Sequence, residues 1–235
     1  MDAMAEVVRA IDELRRAADP SRKPGMARFG INVDRALGVS VPDIRRIAKG
    51  LGRNHYLARE LWATGVHEAM ILATIVGEPG SVTPAEMDAW VVDLDSWDLC
   101  DHACGNLWDR TPFVFVKARE WARRHEEFVR RAAFALVAEA APHRRDLPDS
   151  RFERFLPVIR RAANDDRNCV KKAVNWALRE IGKRSPDLNR YAIEEAGRLL
   201  EINSKTARWI ARDALRELRS EAVQSRLEAK AARAT

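Results

Sequence analysis

An all-α fold, a solenoid of stacked helix pairs, is what this sequence predicts, and three observations carry the prediction. Nearly every stretch repeats its apolar residues at the helical period, and no convincing alternation of the strand kind interrupts them. Short turn signals punctuate the stretches and leave no long linker. An internal echo recurs: FALVAEA (134–140), WALREIG (176–182) and DALRELR (213–219), each preceded by a cationic segment, VRRAA, VKKAV or ARWIA.

The turns are ADPSRKPG (18–25), GVSVP (38–42), GEPGSVTP (77–84), RTP (110–112), APHRRDLPDS (141–150), KRSPD (183–187) and EINS (201–204). They cut the chain into ten or more helices. The echo spacing, near 40 residues, is that of HEAT-like helix pairs stacked into a curved solenoid. Its second helices would line one concave surface, with residues off their core stripes pointing into it. A single repeat domain is expected over 1–220, followed by an Ala/Arg-rich tail over 221–235, frayed or disordered.

Composition narrows the class of function. The 235 residues are 46% hydrophobic and 32% charged, as in a soluble globular protein. No apolar run approaches the roughly 20 residues of a membrane span, and the N-terminus has no compact apolar block of the signal-peptide kind. Three cysteines, Cys100, Cys104 and Cys169, are too few and too irregular for a disulfide framework, so a reducing cytoplasm is the default. The net charge of +6, its excess gathered in the second half, favours a polyanionic partner, nucleic acid first.

Four helices carry the candidate chemistry. In DSWDLCDHACGNLW (95–108), Ser96 is a good N-cap, and Leu99, Cys100, Ala103, Cys104 and Leu107 turn inward. Trp97 and Asp101, one turn apart, lie within about 40° of each other at the edge of that stripe. Two readings of the pair are open: an indole and a carboxylate facing a ligand, or a half-buried Trp beside a salt-bridging Asp. Cys100, His102 and Cys104 do not make a metal site, because His102 points away from the line joining the cysteines and no second ligand pair follows. In VRRAAFALVAEA (129–140), Val129, Ala132, Ala133 and Leu136 set the core direction. Arg131 points roughly opposite, with Ala135 and Ala138 above it leaving room for something to lie against the helix.

In VKKAVNWALREIGKR (170–184), Val170, Ala173, Val174, Ala177, Leu178 and Ile181 form the core stripe. Trp176 falls on the far side among Lys172, Arg179 and Lys183, where the largest apolar side chain buries least. In SKTARWIARDALREL (204–218), Ala207, Ile210, Ala211, Ala214 and Leu218 form the core. Arg208, Arg212 and Arg216 make an i, i+4, i+8 row suited to phosphates, although such rows are also plain solvated surface. The chain has no Gly-rich phosphate loop, no dinucleotide fingerprint and no nucleophile set beside its histidines.

The segments DSWDLCD, VRRAAFAL, VKKAVNWALREIGKR and the early PSRKPGMARFGINVDRALGVSVPDIRR resemble the AlkD family of alkylpurine DNA glycosylases, over about residues 20 to 218. The resemblance implies a right-handed superhelical solenoid of HEAT-like pairs whose concave, basic face holds duplex DNA. It implies a monofunctional glycosylase that hydrolyses the N-glycosidic bond of cationic alkylated purines, such as 3-methyladenine and 7-methylguanine, without metal or other cofactor. Asp101 matches the catalytic aspartate, Trp97 and Trp176 the two cleft tryptophans, and Arg131 the arginine gripping the backbone near the lesion. Lys171, Lys172, Arg179, Arg208 and Arg212 are the expected backbone contacts. One departure stands out: Ser96 occupies the place of a second aromatic before Trp97. The partner expected is duplex DNA with alkylated bases, bound by a monomer away from any membrane. The rival is a non-catalytic HEAT scaffold for nucleic acid or protein, which would gain nothing from a carboxylate on a phosphate-binding surface. An RNA binder would need stacking aromatics once per repeat, and Trp97 and Trp176 do not recur so.

Overall fold

A computed structural model describes residues 3–232, and the chain divides into two compact units, Met1–Thr111 and Pro112–Thr235. Among the described residues there are fifteen α-helices and no strand. None of these helices is long and apolar enough to cross a membrane.

The first unit holds α1 (Ala3–Arg16), α2 (Lys23–Arg28), α3 (Val41–Leu51), α4 (His55–Ala63), α5 (His67–Val76), α6 (Pro84–Val91) and α7 (Trp97–Asn106). At the centre is α5, apolar beyond its first turn except for Thr74 and buried nearly throughout. It packs on α1, α3, α4 and α7. Polar residues set where these helices begin. Ser40, Asn54 and Thr83 each accept a hydrogen bond from the backbone N–H three residues on, at 3.2, 3.0 and 3.1 Å, worth about 1 kcal/mol apiece. Proline stands in the first turn of α3 and α6, where its missing donor costs nothing.

Successive pairs in this unit are stitched at a constant offset. Trp62 of α4 stacks on Trp90 of α6 with centroids 4.2 Å apart, and its indole N–H donates to Asp93 at 2.8 Å. His55 meets Glu86 at 2.9 Å, His67 meets Asp98 at 2.9 Å, and Asn106 donates to Thr74 at 3.0 Å. The sequence separations are 31, 31, 31 and 32 residues. That offset is the repeat length of this unit, shorter than the echo in the second half.

The second unit holds α8 (Val114–Trp121), α9 (Glu127–His143), α10 (Asp149–Glu153), α11 (Leu156–Ala162), α12 (Asn168–Gly182), α13 (Pro186–Glu201), α14 (Lys205–Leu218) and α15 (Glu221–Ala232). The three echo segments lie on α9, α12 and α14, and these helices pack side by side in that order. Each packs as well on the helix before it: α8 on α9, α11 on α12, α13 on α14. The echo thus marks real structural repeats. An edge-to-face cluster of Phe115, Phe134, Phe152 and Phe155 fills the interior on the α8–α9 side.

The division at Thr111 falls within the span, 1–220, read from the sequence as one repeat domain. Residues 221–232, expected to fray, form α15. Val223 and Leu227 are buried, and Gln224 donates to Leu218 O at 2.6 Å and Asn189 Oδ1 at 3.2 Å. An apolar pair one turn apart suffices to seat the helix on α13 and α14. The rest of that expected tail, 233–235, lies outside the described residues.

Candidate functional site

In the first unit the candidate chemistry sits on α7. Its inward face is as the wheel predicts: Leu99, Cys100, Ala103, Cys104 and Leu107 are all buried. Ser96 takes the N-cap position in extended backbone, but its side chain makes no capping bond to the helix. Trp97 is half-buried, and its indole N–H donates to the Phe29 carbonyl at 2.9 Å. Asp101, one turn on, is partly exposed. The indole is therefore locked in orientation, with the carboxylate beside it on the same stripe.

What holds α7 is a pair of polar ties, one exposed and one part-buried. Asn32 donates to Asp95 at 2.8 Å just ahead of the helix, and His67 pairs with Asp98 in its first turn. Burial pulls the His67 imidazole down, but the hydrogen bond and charge of Asp98 outweigh it and leave His67 above its usual 6.5. Burial likewise would raise Asp98, and the His67 bond and charge hold it below 3.8. The pair is ionic. His102, in the next turn, is lowered by burial and stays neutral at pH 7.

The loop that supplies the Phe29 carbonyl is itself pinned. Glu68, buried on α5, accepts the backbone N–H groups of Leu37, Gly38 and Val39 at 2.7, 2.7 and 3.2 Å. Gly38 has φ +82, and a Cβ there would run into the Asp19 carbonyl, so only glycine fits. Phe29, 66% exposed beside Trp97's anchor, carries the Arg28 guanidinium 5.2 Å from its ring centroid. His67, Glu68, Asp98 and Phe29 were missed by motif reasoning. The repeated 31-residue spacing of His or Trp with an acid was the available signal for His67 and Asp98. Nothing local marks Phe29.

In the second unit the core stripes of α12 and α14 are as expected, with every named residue buried. Trp176 is half-buried on the far side of α12, between Lys172, exposed, and Lys183. Lys171 holds its ammonium 5.4 Å from the ring of Trp209 on α14. Arg208 is partly exposed and Arg212 exposed.

One expectation is corrected here. The face of α9 opposite its predicted core is not open: Ala135 and Ala138 are fully buried and Arg131 is only 6% exposed. Small residues on that face let neighbours approach closely, so a helix apolar all round is enclosed. Arg131 donates to the Cys169 carbonyl at 2.8 Å and braces the first turn of α12, from which Lys171 and Lys172 project. Arg179, expected to reach a phosphate, is engaged within the protein: it pairs with Glu217 and lies 3.8 Å from Asp213, both on α14. The candidates thus fall into two groups, Trp97 with Asp101 in the first unit, and Trp176, Lys171, Lys172, Arg208 and Arg212 in the second. Among the described residues no cluster of His, Cys, Asp and Glu is arranged to hold a metal ion.

A fold of paired α-helices with these repeats is matched among solved structures by a protein described as one of "a new family of proteins related to the HEAT-like repeat DNA glycosylases with affinity for branched DNA structures". It is 22% identical, with 80% of each chain covered and a TM-score of 0.71, which identifies the fold as a HEAT-like repeat solenoid. A designed armadillo repeat protein bound to a (KR)4 peptide, 12% identical over 80% of this chain and 90% of its own, has a TM-score of 0.33, too low for a shared fold to follow. Among curated proteins none matches. Residues 10–218 match the DNA alkylation repair enzyme family. The chain belongs to that family, as the resemblance of its α7, α9 and α12 segments implied.

Proposed function

We propose that this protein is a monofunctional DNA glycosylase that removes cationic alkylated purines from duplex DNA. The observation that carries the reading is the α7 stripe: a partly exposed carboxylate, Asp101, one turn from an indole locked by the Phe29 carbonyl. Purines alkylated at N3 or N7 are cationic, so their glycosidic bond breaks with departure of a neutral base and needs little acid catalysis. The charge then moves to the deoxyribose. A carboxylate beside the anomeric carbon stabilises that charge and orients, or deprotonates, the water that completes the abasic sugar. The faces of Trp97 and Trp176 suit a cationic base or the sugar edge, and Lys171, Lys172, Arg208 and Arg212 suit phosphates. Family membership supports this reading. Only water is consumed.

The test is incubation with alkylated duplex and measurement of released 7-methylguanine and 3-methyladenine. Wild type releases bases and leaves an alkali-labile but unbroken strand. Asp101→Asn lowers the rate by about 10²-fold or more while binding the duplex as tightly or tighter. Undiminished release by that variant removes Asp101 from the chemistry.

A second reading, a non-catalytic DNA binder, is favoured by the description of the structural neighbour, which has affinity for branched DNA structures. It predicts tight binding to a four-way junction and no base release by wild type.

A further inference from the structure

Of the seven tryptophans only Trp209 is exposed, at 42%. It lies directly opposite the core stripe of α14, whose Ala207, Ile210, Ala211, Ala214 and Leu218 are all fully buried. Around it stand Lys205, Arg208, Arg212 and Arg216, which with Asp213 line a groove of about 250 Å³. From α12, Lys171 adds an ammonium 5.4 Å from the ring centroid. The one acid in the groove, Asp213, is already taken by Arg216 and approached by Arg179. Among the described residues Lys171, Lys205, Arg208 and Arg212 make no ion pair.

A single exposed aromatic needs no special explanation. A tryptophan ringed by four unneutralised cations is another matter. The cations select a polyanion, and the indole selects a flat, apolar face within it. In a duplex the base faces are already stacked on one another, so this ring gains nothing there. An unpaired nucleotide offers both a base to stack and a phosphate on either side. Lys171, with its ammonium 5.4 Å from the ring centroid and no ion pair among the described residues, is placed to meet such a phosphate.

We propose that Trp209 is a stacking platform for an unpaired nucleotide, so that the α14 surface engages single-stranded arms of forked or branched DNA. The proposal rests on DNA being the partner, but not on base excision or on Asp101.

Binding is measured by fluorescence anisotropy with a labelled single strand, a fork bearing one unpaired arm, and a duplex closed by hairpins at both ends. Trp209→Ala is expected to lose about 10-fold on strand and fork, the scale of one base–aromatic stack, and to keep closed-duplex affinity within about twofold. Trp209→Phe restores most of the loss. If Trp209→Ala fails to fold, the difference in tryptophan emission between wild type and Trp209→Phe serves instead, with quenching expected on adding the single strand. Equal affinity of Trp209→Ala and wild type for the fork overturns the proposal. So does an equal loss on the closed duplex, an unquenched difference signal, or competition by polyglutamate as effective as that by the single strand. Base release by Trp209→Ala stays at wild-type level, and the preference of wild type for fork over closed duplex is read without any excision, so failure of the excision reading and failure of this one are told apart.

Discussion

The two units share one architecture and differ in charge and in how their repeats are joined. Residues 1–111 carry 13 Lys and Arg against 17 Asp and Glu, whereas residues 112–235 carry 28 against 18. The first unit joins its repeats through His–carboxylate pairs, a Trp N–H and an Asn–Thr bond. The second uses guanidinium–carboxylate bridges: Arg160 to Glu195, Arg179 to Glu217, Arg184 to Asp149. On the glycosylase reading proposed above, a net-acidic unit with the candidate carboxylate and a net-basic unit with the candidate phosphate donors would answer the two demands of a cationic lesion in a polyanion. Chemistry favours negative charge where positive charge develops, and grip favours the opposite.

The sharpest way to break the first side of this comparison is to remove Glu68. Its carboxylate serves three backbone N–H groups in a buried setting, and each donor left without a partner costs about 1–3 kcal/mol. Glu68→Ala is expected to lose about 3 kcal/mol or more of stability, read by urea unfolding, and to free the loop that orients Trp97. A loss below about 1 kcal/mol means that water replaces the carboxylate and the loop is not rigidly held. Next in size is Arg131→Ala. Because Arg131 is buried against α12, it is expected to cost about 2 kcal/mol in folding and to leave the salt slope of DNA binding unchanged. A slope reduced by about one phosphate contact at unchanged stability restores the backbone-gripping role that the family resemblance implied.

Those two residues also show where the sequence was legible. The stripes of α7, α12 and α14 were read correctly because burial on one helix face is periodic, and the period survives in the letters. On α9 the same wheel failed, since alanines on the outer face look like open space and in fact mark close packing. The partners of Arg179 and His67 lie 38 and 31 residues away. Such pairings follow only once the repeat length of each unit is known, and the echo near 40 residues belongs to the second unit alone. Trp97 and Asp101 were legible as a pair because they share one helix turn. The loop that locks Trp97 comes from a segment 68 residues earlier, and no helical period reports it.

Smaller still is the effect of pH, and here the units are expected to part. His67, held above 6.5, gives stability that is full below pH 6.5 and lost as pH rises through its folded value. Asp98, held below 3.8, gives stability present above pH 3.8 and lost as pH falls through its folded value. Both contribute fully between those limits. Arginine bridges do not titrate in the neutral range. As pH rises from 6 to 8.5 the melting temperature of wild type is therefore expected to fall, and that of His67→Gln to fall less. Parallel profiles for the two proteins remove the ionic pair from the account.

The smallest expected effect separates two cations of α12 that the helical wheel placed together. Lys172 is exposed and makes no ion pair among the described residues, whereas Arg179 is neutralised by Glu217 and approached by Asp213. A neutralised guanidinium releases no counterion on binding a phosphate unless its own bridge breaks first, and that rupture offsets the gain. Lys172→Gln is expected to reduce the slope of log K against log salt by about 0.9, one phosphate contact, whereas Arg179→Gln leaves it within error. Glu217→Gln supplies the converse. By leaving Arg179 only its 3.8 Å approach to Asp213, while Lys183 keeps its bridge to Glu180 at 2.6 Å, it should steepen the slope. If Arg179→Gln and Lys172→Gln shallow the slope equally, the α12–α14 bridges open on DNA, and the positive face of the second unit extends past Arg179.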